Sequence, residues 1–246
     1  MTDFYEDNFK IVEETYDVIA EEFAPLLSLE NASQEEIDVV NKFLEEMLAR
    51  FSRKTPKIAD LGCGLGKHGR YCADFGFEVT GYDFSQKMIT LADQLNDQNF
   101  ARSYYHNEQL KMPIMRFLHK ANICDFITDE KYDGIISCYT FIHLTRQQAE
   151  LALQNLKHCL NKGALLLIIV YKGKGERIIP EAQAPGYQMF YKDYMEDELS
   201  TLVSDTGYKV LMEFPPFEET DPITAANPEM GLRALGLLAV FEGENR

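Results

Sequence analysis

Along residues 8–27 the apolar positions Ile11, Tyr16, Ile19, Phe23 and Leu26 recur at helical spacing, which predicts an amphipathic helix with Pro25 near its end. Ser33 with Glu36 three residues on is a capping-box pattern. It opens a second helix through Val39, Val40, Phe43, Leu44 and Met47. The polar stretch 52–57 then separates two kinds of pattern. Beyond it, short apolar runs alternate with helical stretches. Strands are predicted at 57–61, 77–83, 115–121 and 132–138, with helices at 67–75, closed by Gly76, at 85–95 and at 145–160. Thr145 and Gln148 form a second capping-box pattern. Gly163 turns the chain into 164–171, an apolar run of the kind a strand buried on both faces shows. A helix near 194–206 ends at Gly207, and strands at 208–214 and 236–242 follow without a periodic helix between them, which predicts an antiparallel closure. Alternating strands and helices imply an α/β fold: a doubly wound, mostly parallel seven-stranded sheet, Rossmann-like, with an antiparallel C-terminal strand. Residues 1–56 are expected as an N-terminal helical cap and 57–246 as the ligand-binding domain.

Composition narrows the class. The 246 residues are 46% apolar and 26% charged, the balance of a globular protein and not of a disordered or collagen-like chain. No run approaches the 18 apolar residues of a membrane span, and the acidic start lacks the form of a signal peptide, so no membrane partner is expected. The five cysteines, at 63, 72, 124, 138 and 159, are odd in number and show no Cys-x-x-Cys. They read as reduced thiols in a cytoplasm, with no metal site. The net charge is -16, and residues 1–50 hold 14 Asp and Glu against three Lys and Arg. With no basic stripe, nucleic acid is not expected as a partner. A solvated acidic face is the plain alternative use of that charge.

The strongest chemical signal is Asp60-Leu61-Gly62-Cys63-Gly64-Leu65-Gly66, directly after a predicted strand and directly before a helix. Glycines there let the backbone turn and approach a ligand closely. Asp83 ends the next strand, 21 residues after Gly62, where a carboxylate can accept both hydroxyls of a ribose. Together they point to a nucleoside-containing ligand at the strand ends. Gly64-x-Gly66-x-x-Gly69 also fits a dinucleotide fingerprint. Asp60, however, stands two residues before the first glycine, where a carboxylate would repel a pyrophosphate and attract an ammonium or a sulfonium.

On these residues the chain resembles the class I S-adenosylmethionine-dependent methyltransferases. The stretch 58–93 is similar to that family's first two motifs, through Asp60, Gly62, Gly64, Gly66, Asp83, Phe84, Ser85 and Met88. Residues 130–170 are similar to its fourth and fifth strands, and 195–214 to its last helix and sixth strand. The resemblance implies S-adenosylmethionine as cofactor. Asp60 and the backbone of Gly62, Cys63 and Gly64 would hold its methionine part, Asp83 its ribose, and Phe84 and Met88 would flank its adenine. Asn122, beside Ile123, stands where the family often has an acid reading the adenine amino group. Ser137, Cys138 and Tyr139, at the end of the fourth strand, would face the point of transfer. Tyr16-Asp17 resembles a pair that some members fold over the cofactor.

Other residues carry two readings each. His143 follows the fourth strand and either serves as a general base or packs in its loop. His68 either touches the cofactor or caps the helix. Cys63 reads more simply as a small loop residue than as a nucleophile. Tyr16 either belongs to a lid or packs in the core. Tyr104, Tyr105, Tyr187, Phe190 and Tyr191 either form an aromatic pocket or pack. The segments 102–113 and 177–192 are expected as loops that set specificity. The implied reaction is in-line methyl transfer to a small-molecule acceptor, in which the enzyme's chief task is alignment. A cofactor-binding but silent module, and a nicotinamide-dependent oxidoreductase, are the alternatives. The protein is expected to be a monomer or a homodimer.

Overall fold

The computed structural model describes residues 3–24, 31–51, 55–105, 115–218 and 233–243. The first strands lie close to where the pattern puts them. β1 (Lys57–Leu61) is followed by α3 (Lys67–Asp74), β2 (Glu78–Asp83), α4 (Gln86–Tyr105), β3 (Met115–Lys120) and β4 (Tyr132–Cys138). Then come α5 (Arg146–Leu156), β5 (Leu160–Tyr171), α6 (Glu196–Asp205), β8 (Lys209–Glu218) and β9 (Arg233–Phe241). Two helices precede this core, α1 (Asp3–Phe23) and α2 (Gln34–Arg50). The part of the first predicted helix from 25 on lies outside the described residues.

One sheet of seven strands runs in the order β3-β2-β1-β4-β5-β9-β8. Its first five strands are parallel, and β9 pairs antiparallel with both β5 and β8. The antiparallel closure is therefore an insertion: the last strand enters between its two predecessors. On β5, Leu166, Ile168 and Val170 join the core on one face of the sheet, and Leu165, Leu167 and Ile169 that on the other. This two-sided burial explains its unbroken apolar run.

The two N-terminal helices go to different places. α2 lays Val39, Phe43 and Met47 against Ile58 and Ile136 on one face, close enough that a Cβ on Gly134 would meet Phe43 at 2.8 Å. α1 adds Val12, Ile19 and Phe23 to the other core. Thr145 and Gln148 form the complete capping box expected of them. At α2 only half of one forms. Ser33 accepts from the Glu36 N–H at 3.1 Å, but the Glu36 carboxylate turns inward to Lys67 and His68.

Two elements differ from expectation. α4 extends to Tyr105, ten residues past its predicted end, and the rest of the expected 102–113 loop falls outside the described residues from 106 on. The segment 177–192 is not a loop. It forms an antiparallel hairpin of β6 (Gly175–Pro180) and β7 (Gln188–Asp193).

Candidate functional site

A cavity opens at the C-terminal ends of the parallel strands, with about 950 Å³ of space counted to its open mouth. It lies where an α/β sheet of this winding binds ligands. Its floor is the glycine loop after β1. Gly62 and Gly64 have φ of +69° and +52°, backbone that L side chains rarely adopt. At Gly62 a Cβ would also fall 2.0 Å from Thr140 Oγ1, whereas at Gly64 a Cβ would meet no protein atom within 4 Å.

The loop's N–H groups are already committed. Gly62 and Cys63 donate to the Tyr82 carbonyl at 2.7 and 3.0 Å, and Gly66 donates to Cys63 at 2.7 Å. Gly64 donates to Asp83 Oδ2 at 2.8 Å, and the other Asp83 oxygen accepts from Ser85 N–H at 2.8 Å. A dinucleotide fingerprint offers free N–H groups to a pyrophosphate. Here one of the four is spent within the loop and three on the end of β2. Asp83 lines the cavity, and burial raises its pKa to about 6, against the pull of the backbone donors.

Asp60 does not line the cavity. Alternation along β1 sends Ala59 and Leu61 to one face and the Asp60 side chain to the other. There its Oδ2 accepts from the Gly69 N–H of α3 at 2.9 Å. A Cβ on Gly69 would lie 2.7 Å from that oxygen, so the third glycine of the formal fingerprint serves close packing of helix on strand. Burial raises the Asp60 pKa to about 7. Gly66 is not a lining residue either; its φ of +77° starts α3.

The other expected residues gather in two adjoining lobes. Tyr16, Cys63, His68, Met88, Cys138 and Tyr139 line the main cavity. Asn122 and Ile123 line a smaller one that shares Gly62, Phe84, Thr140 and His143 with it. The Asn122 side chain accepts from Cys124 N–H at 2.9 Å, capping the turn Ile123–Asp125. Tyr139 is the one non-glycine residue with positive φ among the described residues, at 59°. It stacks near Tyr171, with ring centres 5.3 Å apart, and Tyr171 near Tyr191 at 6.4 Å. Of the five residues expected as an aromatic pocket, Tyr191 lines the cavity; Tyr187 is exposed, Phe190 is buried elsewhere, and the side chains of Tyr104 and Tyr105 lie outside the described set.

His143 lines the cavity with both ring nitrogens engaged. Nδ1 bonds the Phe190 carbonyl at 2.8 Å, so that nitrogen carries the proton, and Nε2 accepts from the Tyr16 hydroxyl at 2.8 Å. Burial pushes its pKa down to about 4. In this arrangement its Nε2 is the hydrogen-bond acceptor for Tyr16, as in the packing alternative of its two readings. Tyr16 in turn packs edge-on to Phe84 and Phe23.

α1 is fastened over this site. Asp17 Oδ1 accepts from Ser85 Oγ at 2.5 Å, Thr15 donates to the Gln188 carbonyl at 2.7 Å, and Asn8 donates to the His143 carbonyl at 3.1 Å.

Six wall residues escaped the sequence reading, among them the apolar Phe23, Leu65 and Ile142. Thr140 follows β4, and Tyr171 ends β5, where the rule of strand ends could have found both. Lys67, the first residue of α3, also lines the cavity. Glu36 holds it from outside: its Oε1 accepts from Lys67 Nζ at 2.9 Å and from His68 Nε2 at 2.5 Å. The His68 and Lys67 donors hold the Glu36 pKa down at about 2 against burial, which alone would raise it. Burial and the neighbouring Lys67 lower the His68 pKa, so the ring stands neutral with Nε2–H donating to Glu36. Among the described residues no His, Cys, Asp or Glu group is arranged to hold a metal, and no helix is long and apolar enough to cross a membrane.

Residues 58–163 match the family described as a methyltransferase domain. A curated relative is the probable S-adenosyl-L-methionine-dependent methyltransferase TehB of Haemophilus influenzae, 28% identical over 116 residues. That match takes 46% of this chain and 35% of the relative, so the chain spans about a third of the curated relatives it matches. In fold, the chain is similar to magnesium protoporphyrin IX methyltransferase (ChlM) from Synechocystis PCC 6803 with bound SAM. The TM-score is 0.64 and the identity 15%, over 95% of this chain and 97% of that one. It is also similar to the glycopeptide N-methyltransferase MtfA, with a TM-score of 0.58 and 12% identity over 81% and 92% of the two chains.

Proposed function

We propose that the protein binds S-adenosylmethionine in this cavity and transfers its methyl group to a small-molecule acceptor, a reading supported by the match of residues 58–163 to a methyltransferase domain. The observation that carries the reading is the loop whose N–H groups are spent on Tyr82, Cys63 and Asp83. A loop so committed withholds those four N–H groups from a pyrophosphate.

The residues present fit the cofactor. Gly64 leaves open a space that any side chain would fill. Asp83 keeps a carboxylate at the cavity wall for ribose hydroxyls, with Phe84 and Met88 as apolar flanks beside it. Lys67, held by Glu36, supplies positive charge for a carboxylate. When bound, the cofactor supplies an electrophilic methyl on a sulfonium. The protein's own work is then alignment and exclusion of water, which on well-oriented systems can supply up to about 7–11 kcal/mol. Tyr139, Tyr171 and Tyr191 form the wall against which an acceptor would be held, and α1 closes the site from above. Asp60 acts at one remove, fixing α3 behind the loop. The reduced, buried thiols suit a cytoplasmic setting.

Calorimetric titration of S-adenosylmethionine, S-adenosylhomocysteine and NAD tests the reading. Micromolar binding of the two sulfur nucleosides and none of NAD is expected. Binding of NAD alone would overturn it.

A further inference from the structure

Three tyrosines from three parts of the chain meet along the cavity wall. Tyr139 follows β4, Tyr171 ends β5 and Tyr191 lies on β7, and all three line the space. Their rings do not stack flat. Tyr139 and Tyr171 are inclined at 39° with centres 5.3 Å apart, and Tyr171 and Tyr191 at 51° with centres 6.4 Å apart. Rings so inclined offer no single plane to a flat guest; they present faces at different angles to a rounded one. Tyr139 is held there under strain. Its φ of 59° is left-handed, and its N–H is fixed on the Ile169 carbonyl at 2.8 Å. Strain of this kind persists where the surroundings impose it, and it gathers at ligand sites.

Charge decides what the rounded guest is. Aromatic faces attract cations, most strongly where water is excluded. The basic side chains on the lining are already answered. Lys67 and His68 both donate to Glu36, at 2.9 and 2.5 Å, and His143 is held between Tyr16 and the Phe190 carbonyl at 2.8 Å each. The remaining charge on the lining is the Asp83 carboxylate. Arg177 covers Tyr191, its guanidinium carbon 5.6 Å from the ring centre, but it does not line the cavity and Asp193 meets its charge. We propose that the methyl acceptor is a tertiary amine whose nitrogen sits among Tyr139, Tyr171 and Tyr191, the ring faces stabilising the positive charge that it acquires. The inference rests on the methyltransferase reading and adds to it the class of acceptor. The amine enters as its free base. Its lone pair forms the new nitrogen–methyl bond, and the carbon–sulfur bond breaks with its electron pair left on sulfur as a neutral thioether. The positive charge moves from sulfur to nitrogen, and the quaternary product has no proton to lose. No base is needed, and His143, whose ring centre lies 5.3 Å from that of Tyr191, has both nitrogens engaged.

The test titrates tetramethylammonium, tert-butanol and pivalate, three heads of similar size and different charge, into the full chain saturated with S-adenosylhomocysteine. Wild type, Tyr191→Phe, Tyr191→Leu and Tyr171→Leu are compared by calorimetry. Tetramethylammonium stands for the methylated product. Wild type is expected to hold it at least about tenfold more tightly than tert-butanol, with pivalate weakest. Its methyl proton resonance should move upfield in the ring currents of the tyrosines. Tyr191→Phe keeps an aromatic face and should bind it within about threefold of wild type, whereas each leucine variant should lose about tenfold, with tert-butanol little changed. Tert-butanol as tight as tetramethylammonium would make the tyrosines a merely apolar wall, and pivalate as tight would make the site one for anions. No binding of tetramethylammonium, or equal binding by wild type and both leucine variants, would take the cation away from the tyrosines. Each of these results overturns the proposal. Should the leucine variants not fold, the ranking of the three probes in wild type and the upfield shift decide alone. Failure of S-adenosylhomocysteine to bind wild type would sink the methyltransferase reading, and tetramethylammonium titrated into the cofactor-free chain would still judge the tyrosines separately.

Discussion

Asp83 carries the most direct predictions. Its folded pKa of about 6 lies above the ordinary carboxylate value because burial disfavours its charge. Ribose hydroxyls donate to the ionised form, so affinity for S-adenosylhomocysteine should fall as pH drops below about 6, by up to about tenfold per unit. Asp83→Asn should flatten that profile in calorimetry, and Asp83→Ala should weaken binding at least tenfold at neutral pH. The same raised pKa has the opposite sign for folding. Its stabilising share is full below the unfolded pKa of 3.8 and is lost as pH rises through about 6. The glycine loop offers a second contrast. Gly62→Ala must push Thr140 aside and should destabilise the fold severely, whereas Gly64→Ala meets only the strain of positive φ, about 1–2 kcal/mol. Its methyl would nonetheless occupy ligand space, so Gly64→Ala should stay folded and bind the nucleoside poorly; undiminished binding would move the ligand off the loop. Residue types were legible from sequence here, but side-chain direction was not. Asp60 and Asp83 look like equal partners in the motif, and only the alternation of β1 shows that one faces α3 and the other the cavity.

At the scale of elements, legibility followed two-sided burial. β1 and β4 occupy the predicted 57–61 and 132–138 because both faces of each strand are covered and their apolar runs are unambiguous. The hairpin of β6 and β7 was read as a loop because its buried positions include Lys192 and Asp193, whose charges are answered by Glu198 and Arg177. No hydrophobicity pattern registers a strand that buries ion pairs. The covering helix α1 yields its own prediction. Tyr16→Phe removes the hydroxyl from the buried His143 Nε2 and should lower stability by about 1–3 kcal/mol. Stopped-flow measurement should find faster release of S-adenosylhomocysteine from this variant, and from Asp17→Ala, which unpins α1 from Ser85. Release at the wild-type rate in both would make α1 a static wall.

For the molecule as a whole, the order β3-β2-β1-β4-β5-β9-β8 puts the glycine loop, the end of β2 and the ends of β4 and β5 around one crevice. The class of fold was legible because strand and helix alternate so regularly. The place of β9 between β5 and β8 was not, since nothing local tells a last strand which neighbour to choose. A ligand that binds only the folded chain raises its stability, by about 2.7 kcal/mol at a hundredfold excess over Kd. For a chain of this size S-adenosylhomocysteine at that excess should lift the melting temperature by about 5–10 °C, with no rise from NAD.

The fastening of α1 also has a kinetic side. Its bonds span 127 residues from Tyr16 to His143, 140 from Asn8 to Gln148 and 173 from Thr15 to Gln188. None of these belongs to the ladder of the sheet. None of the strand pairings depends on α1, so amide exchange is expected to show the helix opening as a unit by itself. If α1 is the lid, a nucleoside beneath it is expected to leave at the rate of that opening. Amide hydrogens of α1 would exchange with solvent on the same clock as the ligand departs.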